Sequence, residues 1–134
     1  MNKAQLIILV LVLHFISDFN LQIGAKLHEM KQKAWWRRMF KEYGIIDHKK
    51  YDDDWSAAMW IHSFVWASVT FSPLAWIYGD RASIYVLIIL NMVIHAFIDN
   101  ANANLMSINL WQDQLMHLGQ IGCTLLYFYI GLQV

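Results

Sequence analysis

Apolar residues along the chain fall into four long stretches that are separated by polar segments. A helix needs about 20 mainly apolar residues to cross the roughly 30 Å of hydrocarbon in a bilayer, and each stretch approaches that length. Pro73 lies inside the second stretch and is expected to kink or end its helix. We therefore predict an all-α fold in which a single integral-membrane domain, residues 1–134, forms a four-helix transmembrane bundle. The predicted spans are residues 4–23, 55–78, 83–103 and 112–133.

The polar segment 24–54 carries eight of the ten lysines and arginines. The positive-inside rule therefore predicts that this segment is cytoplasmic, with both chain ends on the other side of the membrane. Apolar residues recur within it at about helical spacing, which indicates an amphipathic helix on the membrane surface. The alternative is a solvated connector. The apolar members are Leu27, Met30, Ala34, Trp35, Met39, Phe40 and Tyr43.

The composition also favours lipid as the partner, since 58% of the residues are hydrophobic and only 15% are charged. Ten basic residues balance ten acidic ones, so the chain lacks the basic excess of a nucleic-acid-binding protein. The basic segment is expected to contact anionic lipid headgroups. A homo-oligomer is expected as well, because four helices bury little area.

Histidines and aspartates recur inside the predicted spans, where ionisable side chains are costly and usually mark a functional site. Four of the six histidines fall one per span, and three of these have an aspartate four residues away. That spacing puts both side chains on one face of a helix. The pairs are His14 with Asp18, His95 with Asp99, and Asp113 with His117, and His62 is the fourth histidine.

The order within the pairs predicts two layers of side chains. Histidine precedes aspartate in the first and third spans, which run toward the cytoplasm, and follows it in the fourth, which runs away. Each aspartate therefore lies one helical turn, about 6 Å, nearer the cytoplasm than its histidine. His62 falls near the depth of the other histidines. We expect four histidines and three aspartates in neighbouring layers at one end of the bundle.

Imidazole and carboxylate together suit a divalent metal such as zinc, manganese or iron. Seven candidate ligands exceed the four of a closed zinc site, so either two metals bind or some aspartates orient the ligating histidines. The predicted metal ligands are His14, Asp18, His62, His95, Asp99, Asp113 and His117. The alternatives are a structural hydrogen-bond network, axial ligation of heme, which fits the carboxylates less well, and a proton or cation pathway.

These residues predict a metal-dependent hydrolase that acts on an amphiphilic or phosphoester substrate at the cytoplasmic interface. One of Asp18, Asp99 and Asp113 would be the catalytic general base. Three further residues are predicted to line the substrate cavity, namely Gln22, Asn91 and Asn102. The alternative class is a non-enzymatic membrane protein, either a heme or ion carrier or a small partner-binding subunit.

The run at residues 14–22, HFISDFNLQ, resembles the H-F-x-x-D-F-x-x-Q motif of an uncharacterised family of small bacterial and phage integral-membrane proteins. The run at residues 95–99, HAFID, is similar to that family's second element, H-x-x-x-D. The resemblance implies placement in the inner membrane of a bacterium and importance for His14, Asp18, Gln22, His95 and Asp99, and it names no reaction. A fainter similarity links the chain to small membrane-bound metal-dependent hydrolases, which distribute histidine and aspartate over several spans.

Overall fold

The computed structural model describes residues 2–20, 26–46, 49–79 and 81–131, and all regular structure in these residues is helical, as predicted. The α-helices are α1 (Lys3–Phe15), α2 (Leu27–Met30), α3 (Lys33–Glu42), α4 (Asp54–Thr70), α5 (Ser72–Tyr78), α6 (Ala82–Ala103) and α7 (Leu110–Gly131). A π-helix (Ile16–Asn20) continues α1, and a 3₁₀-helix (Lys49–Tyr51) precedes α4.

Local sequence explains two of these helix boundaries. Asn2 caps α1 reciprocally: its side chain accepts from the Gln5 backbone N–H (2.8 Å), and the Gln5 side chain accepts from the Asn2 backbone N–H (2.9 Å). The second apolar stretch divides at Phe71 into α4 and α5. Pro73 lies in the first turn of α5, where a missing backbone N–H costs no hydrogen bond.

Helix length and apolarity support one membrane span among the described residues, the helix α6. In the first predicted span, α1 has 13 residues and the π-helix adds five. In the second, α4 ends after 17 residues. The last helix, α7, has 22 residues, but inward-facing polar side chains such as His117 and Gln120 lower its hydropathy. A bundle of four spans thus remains a prediction.

The bundle is organised around α4, which packs against α1, the π-helix, α2, α5 and, most extensively, α6. The next most extensive contact between two helices is that between α6 and α7. One end of the bundle is apolar and the other is polar. The apolar core consists of Leu6, Val10, Trp66, Ala67, Phe71, Leu74, Ile84, Ile121, Leu125 and Phe128.

The predicted amphipathic helix is present as α3, although the helical run that we expected from Leu27 onward is broken. Gln32 is extended (φ −96°, ψ 124°) and separates α2 from α3. The break turns Lys31, at the end of α2, into the protein interior. On α3, Trp36 and Phe40 are half-buried, and their basic neighbours are exposed.

Candidate metal centre

Four buried imidazoles meet where α1, α4, α6 and α7 converge. The ring centroid of His95 lies 5.1 Å from that of His62 and 4.1 Å from that of His117, and His117 lies 6.1 Å from His14. Trp66 stacks on His95 at 4.0 Å and donates its indole N–H to Nδ1 of His14 (2.9 Å). The histidines therefore form one layer, bounded by Trp66 on the side of the apolar core.

Asp99 is the carboxylate that connects this layer. Its Oδ2 atom lies 2.6 Å from Lys31 Nζ, 2.7 Å from His62 Nε2 and 3.4 Å from His95 Nε2. Its Oδ1 atom lies 3.2 Å from His117 Nε2. Only 2% of Asp99 is exposed, and a carboxylate so deeply buried requires compensating charges or hydrogen bonds. The surrounding ammonium and imidazole groups supply them.

Three of these atoms have the spacing of ligands around a single metal ion. His62 Nε2, His95 Nε2 and Asp99 Oδ2 are separated by 3.1, 3.4 and 2.7 Å. The point equidistant from them lies about 1.8 Å from each, so an ion with bonds of about 2.0–2.1 Å would fit about 1 Å out of their plane. We call these three atoms the metal triangle.

Two further carboxylates flank the metal triangle and share a glutamine. Asp18 Oδ1 lies 3.7 Å from His62 Nε2, and Asp113 Oδ2 lies 3.7 Å from His117 Nε2. The Gln114 side-chain amide donates to Asp18 Oδ2 (3.0 Å) and to Asp113 Oδ2 (3.1 Å). The aspartates of α1's π-helical extension, α6 and α7 therefore lie together beside the histidines.

The structure brings two of the three predicted His/Asp pairs into contact along regular helices. His95 with Asp99 and Asp113 with His117 meet at 3.4 and 3.7 Å. Among the described residues, Asp18 forms its ion pair with His62 and not with His14. The reason is local: Asp18 lies in a π-helix, whose i→i+5 hydrogen bonds rotate it away from the α-helical position facing His14.

Lys31 belongs to the site although the sequence analysis assigned it to the cytoplasmic segment. Its ammonium group lies within hydrogen-bond distance of Asp99 Oδ2 (2.6 Å) and His62 Nε2 (3.2 Å). Asn104 fixes the backbone around it: the amide donates to the Lys31 carbonyl (3.1 Å) and accepts from the Lys33 N–H (2.8 Å). On α4, the position one turn before His62 is the buried Ala58.

A small polar cavity of about 50 Å³ opens onto the three aspartates. Asn102, a predicted substrate-lining residue, borders it together with Lys31 and Gln114. Asn91 lies deeper and bonds to Gln120 and Thr124 between α6 and α7. The remaining predicted lining residue, Gln22, falls outside the described residues.

Several buried polar atoms around the site lack a hydrogen-bond partner among the described residues. They are His14 Nε2, His62 Nδ1, Asp113 Oδ1 and Gln114 Oε1. Buried polar atoms are nearly always paired, so a cluster of unpaired ones calls for an explanation such as a bound ion or water. The cluster coincides with the His/Asp layers.

Within the described parts of the chain, two overlapping groups of side chains could hold a metal ion, one formed by Asp18, His62 and His95 and the other by His95, Asp99 and His117. His95 belongs to both groups, and His14 to neither. No known family model, curated protein or solved structure matches the chain. The interpretation of the site therefore rests on the geometry and chemistry of these residues.

Proposed function

We propose that this chain is an integral-membrane protein that binds a divalent metal ion in its His/Asp layers and uses it to hydrolyse an ester or phosphoester bond of an amphiphile. The substrate would reach the site from the cytoplasmic face of a bacterial inner membrane. The single observation that carries the proposal is the metal triangle, because the separations of its three atoms match one coordination sphere.

The distribution of polarity supports the membrane placement. Among the residues that the structure describes, fourteen hydrophobic and fourteen polar or charged ones are buried, so this interior is unusually polar. The surface is correspondingly apolar: only 33% of the 18-residue apolar window in α6 is buried, and Val86, Ile89 and Phe97 are exposed along that helix. A core helix of a water-soluble protein would be mostly buried. Lipid is the solvent that suits such a surface.

The surroundings of the triangle support hydrolysis. A divalent ion held there would act as a Lewis acid toward the scissile group and activate water. Asp113 borders the polar cavity, and its Oδ1 atom has no hydrogen-bond partner among the described residues, so we assign it as the general base. Lys31, which lines the same cavity, would pair with a negative charge on the substrate.

An ion in the triangle and the Lys31 ammonium group would compete for one side of Asp99. Lys31 Nζ lies 2.6 and 3.2 Å from two corners of the triangle, Asp99 Oδ2 and His62 Nε2. Two cations cannot both be that close to these atoms without repulsion. We therefore infer that metal binding displaces the ammonium group toward the polar cavity, where substrate would meet it.

Two alternatives have less support. A heme needs space for a flat macrocycle between its axial ligands, whereas the rings of His95, His117 and Trp66 are packed together, with centroids 4.1, 4.0 and 5.6 Å apart. A transmembrane ion or proton pathway would have to continue past the histidines. Beyond them, the polar side chains of Asn91, Gln120 and Thr124 are hydrogen-bonded to one another between α6 and α7. Past that cluster the interior is filled by the apolar core, which includes Phe128.

Metal analysis tests the proposal. The full chain, purified in nonionic detergent, should contain zinc, manganese or iron, and His95→Ala should lose it because His95 belongs to both candidate groups. His28→Ala is the matched control: His28 is exposed and borders the polar cavity, but it lies in neither group, so its removal should leave the metal content unchanged. An unchanged metal content in the His95 variant would refute the site, and a heme absorption band would replace the metal proposal with heme.

A further inference from the structure

A second cavity lies next to the metal centre, between α3 and the segment that leads into α4. It has a volume of about 640 Å³ and is open to the surface. We call it the α3 groove. It is lined by Lys33, Trp36, Arg37, Phe40, Lys41, Ile45, Tyr51, Asp52, Asp53 and Trp55.

The groove presents a row of cations along one side. Lys33, Arg37 and Lys41 are spaced four residues apart on α3, so they share one face of the helix. All three are exposed, and none of them forms an ion pair with a carboxylate of the described residues. The Lys33 ammonium group lies 4.2 Å from the ring centroid of Trp55. This row can accept an anionic ligand without breaking an existing ion pair.

The other surfaces of the groove are aromatic. Trp36 and Phe40 occupy the adjacent face of α3, with ring centroids 5.9 Å apart, and Phe40 lies 6.0 Å from Tyr51. Aromatic rings beside basic residues are typical of segments that bind at the headgroup level of a membrane. A volume of about 640 Å³ is in the range of sites for whole small molecules and far exceeds the needs of a bare anion.

The charge balance of the groove narrows the choice of ligand. Among the described residues that line it, three cations and two carboxylates, those of Asp52 and Asp53, give a formal charge of +1. One phosphate diester carries the complementary single negative charge. The Asp53 carboxylate can in addition accept hydrogen bonds from hydroxyl or ammonium groups of a headgroup.

We propose that the α3 groove binds the headgroup of a membrane phospholipid that carries one phosphate diester and hydrogen-bond donors, with phosphatidylglycerol as the reference ligand. The phosphate would lie along Lys33, Arg37 and Lys41. The site goes beyond the proposed metal chemistry and does not depend on it. Asn104 links the two, because its amide bonds to the backbone at Lys31 in the metal centre and at Lys33 in the groove. A lipid held here would therefore lie beside the metal centre.

The test is native mass spectrometry of the full chain in nonionic detergent, titrated with short-chain phosphatidylglycerol. The groove variant is Arg37→Gln with Lys41→Gln. The matched control, Lys26→Gln with Arg38→Gln, removes the same charge from exposed residues that do not line the groove. Phosphatidylcholine, whose headgroup has no hydrogen-bond donor, and inorganic phosphate are the competing ligands. Melting temperatures and metal contents are measured on the same samples.

We expect one phosphatidylglycerol per chain, bound about 30-fold more weakly by the groove variant, from the usual contribution of two cations near an anionic lipid. The control should bind within about twofold of the unmodified chain. Equal weakening in both double variants, or unchanged binding in the groove variant, would overturn the proposal. So would efficient competition by inorganic phosphate. Because His95→Ala leaves the groove intact, it should retain lipid binding, and the two proposals can therefore fail separately.

Discussion

Replacing Lys31 with methionine tests how the buried charges of the candidate metal centre balance. Methionine keeps a long flexible side chain and removes the ammonium group that contacts Asp99 Oδ2 at 2.6 Å and His62 Nε2 at 3.2 Å. Lys31 and Asp99 have side-chain exposures of only 8% and 2%, so water screens this pair very little. The variant leaves the Asp99 carboxylate buried with imidazole partners alone.

The expected loss of stability follows from that burial. Removing one partner of a buried ion pair typically costs about 3–5 kcal/mol. Asp99 keeps contacts with three histidines, so we expect a loss at the lower end of this range, about 3 kcal/mol. For a chain of 134 residues this corresponds to a fall in melting temperature of about 10 °C. Lys26→Met, at an exposed lysine, should change stability by less than about 0.5 kcal/mol.

The assay is thermal unfolding of the full chain in detergent, followed by tryptophan fluorescence with a chelator or with added zinc or manganese. In chelator, Lys31→Met should melt well below the unmodified chain. Added metal should restore most of the loss, because the ion neutralises Asp99 in place of the ammonium group. Binding at 100 times Kd contributes about 2.7 kcal/mol. Asp99→Asn should be destabilised under both conditions, since it removes a charged corner of the metal triangle.

Two results would refute this reasoning. If Lys31→Met and the unmodified chain had the same melting temperature in chelator, the ammonium group would not be the counterion of Asp99. If metal raised the melting temperatures of Lys31→Met and Asp99→Asn by the same amount, the ion would bind somewhere other than the triangle.

Two further predictions concern packing and can be measured in the same melting assay. A Cβ atom at Gly79 would collide with the backbone carbonyl oxygen of Ala75, so Gly79→Ala should lower the free energy of unfolding by about 1–3 kcal/mol. The matched change Gly122→Ala, in open space on α7, should be neutral or stabilising by up to about 1 kcal/mol. Equal melting temperatures for the two variants would contradict the collision. Asn91 bridges two buried polar side chains of α7, so Asn91→Ala should cost about 1–3 kcal/mol. A change within 0.5 kcal/mol, the usual range for surface positions, would mean that these bonds are individually dispensable.

Sequence reasoning succeeds where the helices are regular and the contact is local. His95 with Asp99 and Asp113 with His117 lie on uninterrupted α-helices, so the i, i+4 spacing alone places each pair together. The same rule fails at His14 and Asp18 because the helix widens to a π-helix after Phe15. Composition gives no signal for that change, since the apolar pattern continues through it.

The role of Lys31 could not be predicted in this way, because it depends on contacts far apart in the sequence. Lys31 lies 68 residues before Asp99, inside a segment whose lysines and arginines indicate an exposed cytoplasmic loop. The contact exists because the chain breaks at Gln32 and Asn104 holds the backbone on both sides of the break. Both features arise from tertiary structure. Only Ala58 gives a local indication in the sequence. It lies one turn from His62 on α4, at the position where each of the other three histidines has an aspartate, so a different group has to supply a charge there.

The two polar clusters in this bundle offer an internal comparison that bears on function. The amide cluster of Asn91, Gln120 and Thr124 satisfies its hydrogen-bonding atoms except Gln120 Oε1, as expected of a network that joins helices. The His/Asp layers leave four buried polar atoms without partners among the described residues and concentrate charge on one carboxylate. Such a cluster costs stability unless something binds to it. A structural network alone accounts for the first cluster, whereas the second has the properties of a binding site.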